Sequence, residues 1–234
     1  MSGHMATINL EGKRIGTQSM MNSFGKAGRI IDVLRSLGPV AASRVIREMI
    51  FSTNNYYLLG RSLAAPLEYP FARKPDLPFI PLEERHVAAI KEQIPTLDPI
   101  DRREVAGRLH FQASGFNNCY VMTAGSEIAY LQWLIYPKEN EIIRSSYSGK
   151  FYPLGEKQVM VENVFTFPRY RGRGLLPYGT LQLLQKAREH GFSSVVCYIR
   201  SDNITSLNEF FRMGFKITKM MKEYKVLGRA WRTL

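Results

Sequence analysis

The chain has 234 residues, 45% of them hydrophobic, enough to fill the core of one substantial domain with an extension or of two small domains. A formal net charge of +12 describes a surface that attracts anions, whether nucleic acid, acidic lipid or a phosphorylated ligand, and residues 1–74 hold ten Lys and Arg against four Asp and Glu. No run approaches the roughly 18 apolar residues of a membrane span and no apolar N-terminal core resembles a secretory signal, so a cytoplasmic protein is expected.

Met1 to Met5 reads as a cloning remnant ahead of a start at Met5 and is set aside. Residues 6–26 mix Gly, Ser, Thr and Lys without apolar periodicity, the pattern of a loosely packed lead-in. Ile30, Val33, Leu34 and Leu37 then fall at helical spacing, Gly38-Pro39 interrupts, and Ala42, Val45, Ile46, Met49 and Ile50 resume it, which predicts two amphipathic helices or one broken one. With Arg29, Arg35, Arg44 and Arg47 among them, these helices either pack on the main domain, the preferred reading, or make peripheral contact with an acidic membrane at its inner face. Pro66, Pro70, Pro75, Pro78 and Pro81 suit an extended connector, so the chain divides into an N-terminal helical extension with its Pro-rich connector (1–75) and a main domain (76–234).

In the main domain, 77–82 is expected as a short strand, 83–94 as a helix, and 99–109 as a second helix capped by Asp98. Segments 119–123 and 128–136, rich in Tyr, Val, Ile and Trp, predict a hairpin, and Cys119 and Cys197 read as buried free thiols rather than a disulfide or metal pair. A polar stretch, 137–157, follows, and then 158–167, apolar and β-branched, reads as a central strand. Leu176, Thr180, Leu183, Leu184 and Ala187 repeat at helical spacing until His190-Gly191 ends the helix. A strand at 194–199, a helix at 205–212 and a terminal pair of strands within 215–232 complete the pattern.

The chemistry gathers at Arg169-Tyr170-Arg171-Gly172-Arg173-Gly174, between a strong strand and a strong helix. Successive main-chain N–H groups there can face one concavity, the helix N-terminus adds about half a positive charge, and the glycines let a phosphate approach the backbone. Three arginines are expected to reinforce the field. The segment lacks the Gly-Lys-Ser/Thr ending of a P-loop and the long βαβ spacing with a later acidic residue of a dinucleotide fold, which argues against a nucleoside triphosphate or NAD site.

In its setting, Arg169-x-x-Gly172-x-Gly174 resembles the Gln/Arg-x-x-Gly-x-Gly/Ala signature of the GNAT superfamily of N-acetyltransferases. A second segment, Asn203-x-x-Ser206-x-x-x-Phe210-x-x-x-Gly214-Phe215, resembles that family's Asn-x-x-Ala-x-x-x-Tyr-x-x-x-Gly-Phe. The resemblance covers about 76–234 and implies an α/β (α+β) fold with a mixed, mostly antiparallel central sheet flanked by helices, here carrying a helical N-terminal extension. It implies an acyl-CoA-dependent N-acyltransferase: acetyl-CoA or another acyl-CoA as co-substrate, direct attack in a ternary complex, and a primary amine of a small molecule or amino sugar as acceptor. An acyl carrier protein, drawn to the basic surface, is the alternative donor for a longer-chain enzyme, and a non-catalytic coenzyme A- or nucleic-acid-binding module is the reading from another class, with nucleic acid disfavoured. A homodimer is left open.

By the same resemblance, main-chain groups of Val164, Phe165 and Phe167 pair with the pantetheine amides, and Arg169, Arg171, Gly172, Arg173, Gly174 and Leu175 hold the pyrophosphate. Asn203, Ser206 and Phe210 complete the cofactor set, Asn203 being equally a helix cap. Glu162 is the candidate base, or else an ordinary Glu at a strand bulge. Phe210 stands where many relatives carry a Tyr that protonates the departing thiolate, so Tyr198, Tyr224 or a water supplies that proton, or the thiolate leaves unaided. Tyr147, Phe151 and Tyr152 lie over the acceptor site or in an inert surface loop.

Overall fold

The computed structural model describes residues 51–68, 74–226 and 229–233, and the helices expected before residue 51 lie outside them. The described residues fall almost wholly in one unit, Thr53–Lys225 with Arg229–Leu234. Their strands are β1 (Phe51–Ser62), β2 (Phe79–Pro81), β3 (Cys119–Ala124), β4 (Glu127–Ile135), β5 (Gln158–Thr166), β6 (Ser194–Arg200), β7 (Lys216–Val226) and β8 (Arg229–Thr233). The helices are α1 (Glu84–Gln93), α2 (Pro99–Ala113), α3 (Asn140–Ser146), α4 (Leu175–Glu189) and α5 (Ile204–Arg212).

Eight strands make one sheet in the order β2-β3-β4-β5-β6-β1-β7-β8. Among the registers described, all pairs are antiparallel except β5 with β6, which is the pair joined by a crossover helix, α4. Strand alternation sends successive side chains to two cores. Met160, Val196 and Tyr198 join Ile90 of α1, Val105 and Phe111 of α2 and Ile143 of α3 on one face. Val159, Val161, Val195 and Cys197 join Leu183, Leu184 and Ala187 of α4 and Leu207 of α5 on the other. Each fully buried Leu or Val there contributes about 1.5–3 kcal/mol.

Local rules account for the helix ends. Asp98 accepts from the N–H groups of Ile100 and Asp101, with Pro99 at the first helical position, and Glu83 and His86 form a reciprocal capping box at α1. Two elements depart from the sequence reading. The polar stretch 137–157 contains α3, seven residues with Ile143 alone buried, too short to show a helical period. Strand β1 lies in the stretch read as extension and connector, and pairs with β6 from Tyr56↔Arg200 to Ser62↔Ser194. Its Asn54-Asn55 and scattered polar residues hide the alternation that marks a strand.

Candidate active site

The parallel pair β5 and β6 runs only from Gln158↔Ser194 to Met160↔Val196. Each strand keeps its other neighbour beyond that point, β5 with β4 as far as Tyr130↔Thr166 and β6 with β1 as far as Tyr56↔Arg200. The sheet therefore splits. A bulge helps to open it: Leu131 faces Phe165 but Trp133 faces Glu162, one residue more on β5 than on β4, and Asn163 takes φ +53°. At the split, Glu162 replaces the missing ladder with its side chain. Its carboxylate accepts from the N–H of Tyr198 at 3.0 Å, where the continued register would have paired the two residues, and from the N–H of Asn163 at 3.0 Å. Burial pushes the Glu162 carboxyl above its ordinary value, opposed by these two donors and by Arg232 and Arg108.

On one side of the split lies a cavity of about 1000 Å³, formed by Val164–Thr166, the bend Tyr170–Gly174, the first turn of α4, Asn203–Glu209 and Lys74–Leu77. Gly172 and Gly174 take φ +73° and +69°, and a Cβ at Gly172 would meet nothing within 4 Å, so the backbone there is both left-handed and open to a ligand. Gly174 is the N-cap of α4 and offers no side chain to the first-turn N–H groups, which leaves that turn to an anion. A diphosphate fits this bend by charge and shape.

Two expected contributions change. Arg169 does not line the cavity; it pairs with Glu127 at 2.9 Å, and Tyr170 donates to the same carboxylate at 2.5 Å. Arg171 does line it, yet its guanidinium is held by Asp101 at 2.5 Å and donates from Nε to the Thr166 carbonyl at 3.1 Å. The three arginines thus do not act as three free charges, since Glu127 and Asp101 offset two of them. Arg173 lines the cavity with its guanidinium 5.3 Å from the Tyr170 ring. Leu175 is buried in the first turn of α4.

The strand edge also differs from expectation. Phe167 donates its N–H to Ala129 and accepts from Tyr170 N–H, so its main chain is committed inside the protein. Alternation turns Phe165 toward β4 as well, and leaves the main-chain groups of Val164 and Thr166 on the open edge. Arg108 of α2 donates to the carbonyls of Val164 at 2.8 Å and Asn163 at 3.2 Å. Val164 and Thr166, rather than Phe165 and Phe167, are the residues whose main chain can meet an extended ligand.

Asn203 and Ser206 line the cavity, and Asn203 is also the cap of α5, its Oδ1 accepting from Ser206 N–H at 3.2 Å. Phe210 does not line it: it is 2% exposed and packs edge-on against Phe215, in the core on the α4 face. Of the tyrosines, Tyr198 stands beside Glu162 on the α1–α3 face, with its ring 5.3 Å from Phe151 and its hydroxyl accepting from Tyr152 N–H at 3.0 Å. Burial pushes its phenol up to about 12, so it keeps its proton through neutral pH. Tyr224 stacks on Trp231 at 6.0 Å, and alternation sets it on the opposite face of β7 from Glu223, away from Glu162.

Sequence reasoning missed the groups around Tyr198. Arg232 of β8 pairs with Glu223 of β7 at 3.1 Å, both side chains being 9% exposed or less, and donates to the Lys150 carbonyl. Its guanidinium lies 3.7 Å from the Tyr56 ring and 5.3 Å from that of Tyr198. Tyr147 joins Phe111, Phe116 and Phe151 in an aromatic cluster beneath. Asp101, one turn on from the cap Asp98, was missed as well, and no local signal in the sequence marks it as the partner of Arg171.

A bend shaped for a phosphate, an open strand edge leading from it and a carboxylate raised by burial at the end of that edge are the parts that acyl transfer from a thioester of a phosphorylated carrier calls for. Residues 108–215 of the chain match the model of the Acetyltransferase (GNAT) family, whose acetyltransferases use acetyl-CoA or another acyl-CoA as co-substrate. In fold it is similar to the GCN5-related glucosamine N-acetyltransferase region of a fungal multi-domain GH3 beta-N-acetylglucosaminidase, with TM-score 0.53, 13% identity, and 82% of this chain against 22% of that one. It is also similar to a functionally unknown conserved protein from Staphylococcus epidermidis ATCC 12228, with TM-score 0.50, 13% identity, and 79% of this chain against 65% of that one. A GCN5-related N-acetyltransferase from Sphaerobacter thermophilus gives TM-score 0.49 and 11% identity over 80% of this chain and 56% of that one. The chain spans less than two thirds of the length of each of these structures. No curated protein matches the sequence.

Proposed function

We propose that this chain transfers an acyl group, acetyl in the simplest case, from a coenzyme A thioester to the primary amine of a small molecule, with both substrates held at once. The observation that carries the reading is the position of Glu162, a carboxylate raised by burial at the point where β5 and β6 part, two residues before the open edge at Val164. An aliphatic amine of reference pKa about 10.4 arrives protonated and must lose a proton before it can attack. Glu162 takes that proton. The amine nitrogen bonds to the thioester carbonyl carbon, the carbon–sulfur bond breaks, the sulfur leaves as thiolate, and the second nitrogen proton passes to solvent. A thiol of pKa about 8.5 leaves readily enough that no acid is required at the position of Phe210.

The remaining residues hold and orient. The bend at Gly172 and Gly174 with Arg171 and Arg173 takes the diphosphate. Val164 and Thr166 N–H groups pair with the pantetheine arm as an added strand would. The cap leaves the Asn203 amide NH₂ to donate to a pantetheine carbonyl. Fixing thioester and amine together can remove on the order of 7–11 kcal/mol of barrier.

The test is mass spectrometry of a panel of small amines incubated with the protein and thioesters from acetyl to long-chain, beside calorimetry with coenzyme A. Saturable coenzyme A binding and an added acetyl mass on an amine are expected. Preference for long acyl chains would replace the acetyl reading, and no coenzyme A binding would remove the proposal.

A further inference from the structure

A second, smaller cavity of about 230 Å³ lies between the end of α3 and the loop that follows it, lined by Ile143, Arg144, Gly149, Lys150, Phe151 and Tyr152 among others. Its floor is apolar, Ile143 being fully buried and Phe151 9% exposed. Its rim is cationic. Arg144 and Lys150 line it, and Lys219 reaches over from β7 with its ammonium 5.9 Å from the Tyr152 ring. None of the three is in an ion pair among the described residues. Glu223 and Glu162 are already engaged, the first by Arg232 and the second by two main-chain donors, and Glu141, one turn from Arg144 on the same helix, forms no ion pair with it among the described residues.

This cavity is one tyrosine away from the proposed base. Tyr152, in its lining, donates its N–H to the Tyr198 hydroxyl, while the N–H of Tyr198 is bound by Glu162. Phe151, also in the lining, packs against the same tyrosine ring. A group seated among Arg144, Lys150 and Lys219 would therefore lie one tyrosine side chain from Glu162, a span that an elongated acceptor can bridge. The volume suits a head group of a few heavy atoms, and three unneutralised cations over an apolar floor select a negative one. We infer that the acceptor is a primary amine carrying an anionic group, a carboxylate or a phosphate, and that this second cavity binds that group while the amine lies at the split. The inference rests on the acyltransferase reading of the first cavity.

Matched pairs long enough to span the tyrosine test it: 5-aminopentyl phosphate against 5-aminopentanol, and 6-aminohexanoate against 6-aminohexanamide, as acceptors with acetyl-CoA and as titrants in calorimetry. The anionic member of at least one pair should bind and react with a KM about tenfold or more lower, since removing one charge-assisted hydrogen bond weakens binding roughly ten- to a hundredfold. Which pair responds separates phosphate from carboxylate. In Arg144→Ala/Lys150→Ala that preference should collapse toward equality, and Lys150→Glu should reverse it. Calorimetry with coenzyme A reports separately on the first cavity and shows that each variant is folded. If the wild type binds coenzyme A and treats both members of both pairs alike, the anion subsite is overturned while the acyltransferase reading stands. If coenzyme A does not bind, that reading falls, and preferential binding of 5-aminopentyl phosphate or 6-aminohexanoate, lost in the double variant, still decides for or against the second cavity.

Discussion

In the proposed reading, recognition on the coenzyme side of the split comes mostly from main-chain groups of one continuous run, Val164 to Leu175, with left-handed glycines and a helix N-terminus supplying the geometry. The proposed acceptor side instead draws on side chains gathered from separate places: Tyr56, Lys150, Glu162, Tyr198, Glu223 and Arg232. A site made of backbone tolerates change in its side chains but not in its φ angles. A site made of side chains fails one residue at a time. The two halves should therefore be separable by mutation.

The largest expected separation is Glu162→Gln, which should lower kcat about 10²–10⁴-fold, the usual yield of a general base, with coenzyme A affinity unchanged by calorimetry. The pH profile sharpens this. A base works only when deprotonated, and burial holds the Glu162 carboxyl above its ordinary value, so kcat/KM should rise with pH through an apparent pKa above the usual carboxylate range, and that limb should vanish in the Gln variant. An acid limb at an ordinary carboxylate value that survives in Glu162→Gln would break the assignment.

Arg232→Ala comes next, since it leaves the buried Glu223 with, among the described residues, only Asn54 at 3.3 Å and Lys225 at 4.0 Å and should cost up to about 3–5 kcal/mol in denaturant unfolding. Replacing both, Glu223→Leu with Arg232→Met, should recover most of that stability but not the acceptor KM. Gly174→Val should act on the other half, forcing a β-branched residue to φ +69° and raising the coenzyme A Kd about ten- to a hundredfold. The smallest effect belongs to Asp101→Asn. Asp101 is a positioning residue that holds the Arg171 guanidinium in place, so its loss should raise the KM for acetyl-CoA up to about tenfold with little change in kcat. An equal fall in kcat would assign Asp101 to general folding instead.

The same contrast explains what the sequence disclosed. Gly172, Gly174 and the strand and helix around them are read locally, because turn chemistry and periodicity sit within about twenty residues. Asp98 as a cap and the ends of α4 were legible for the same reason. The partners of Arg169 and Arg171 were not, since Glu127 and Asp101 are distant in sequence and their arrival depends on how the hairpin and α2 pack. The choice of Val164 and Thr166 over Phe165 and Phe167 turns on one bulge at Asn163, which no side-chain pattern announces. Arg232 and Glu223 sit on two strands whose pairing was expected, yet nothing in 215–232 says that one face would be buried against Tyr56 and Tyr198.

β1 stands between β6 and β7, so the strands that carry Glu223 and Arg232 are attached to the sheet through the first strand described. On a ribosome, Tyr56 emerges long before Arg200, the residue it pairs with, and Arg232 emerges later still. The hairpin of β3 and β4 closes over a short loop, whereas β1 must wait unpaired while most of the domain is made, a long closure that folds slowly. A nascent chain halted before Lys216 would already contain the glycine bend and lack the Arg232–Glu223 clamp, so during synthesis the grip on the donor can precede any means of choosing what receives the acyl group.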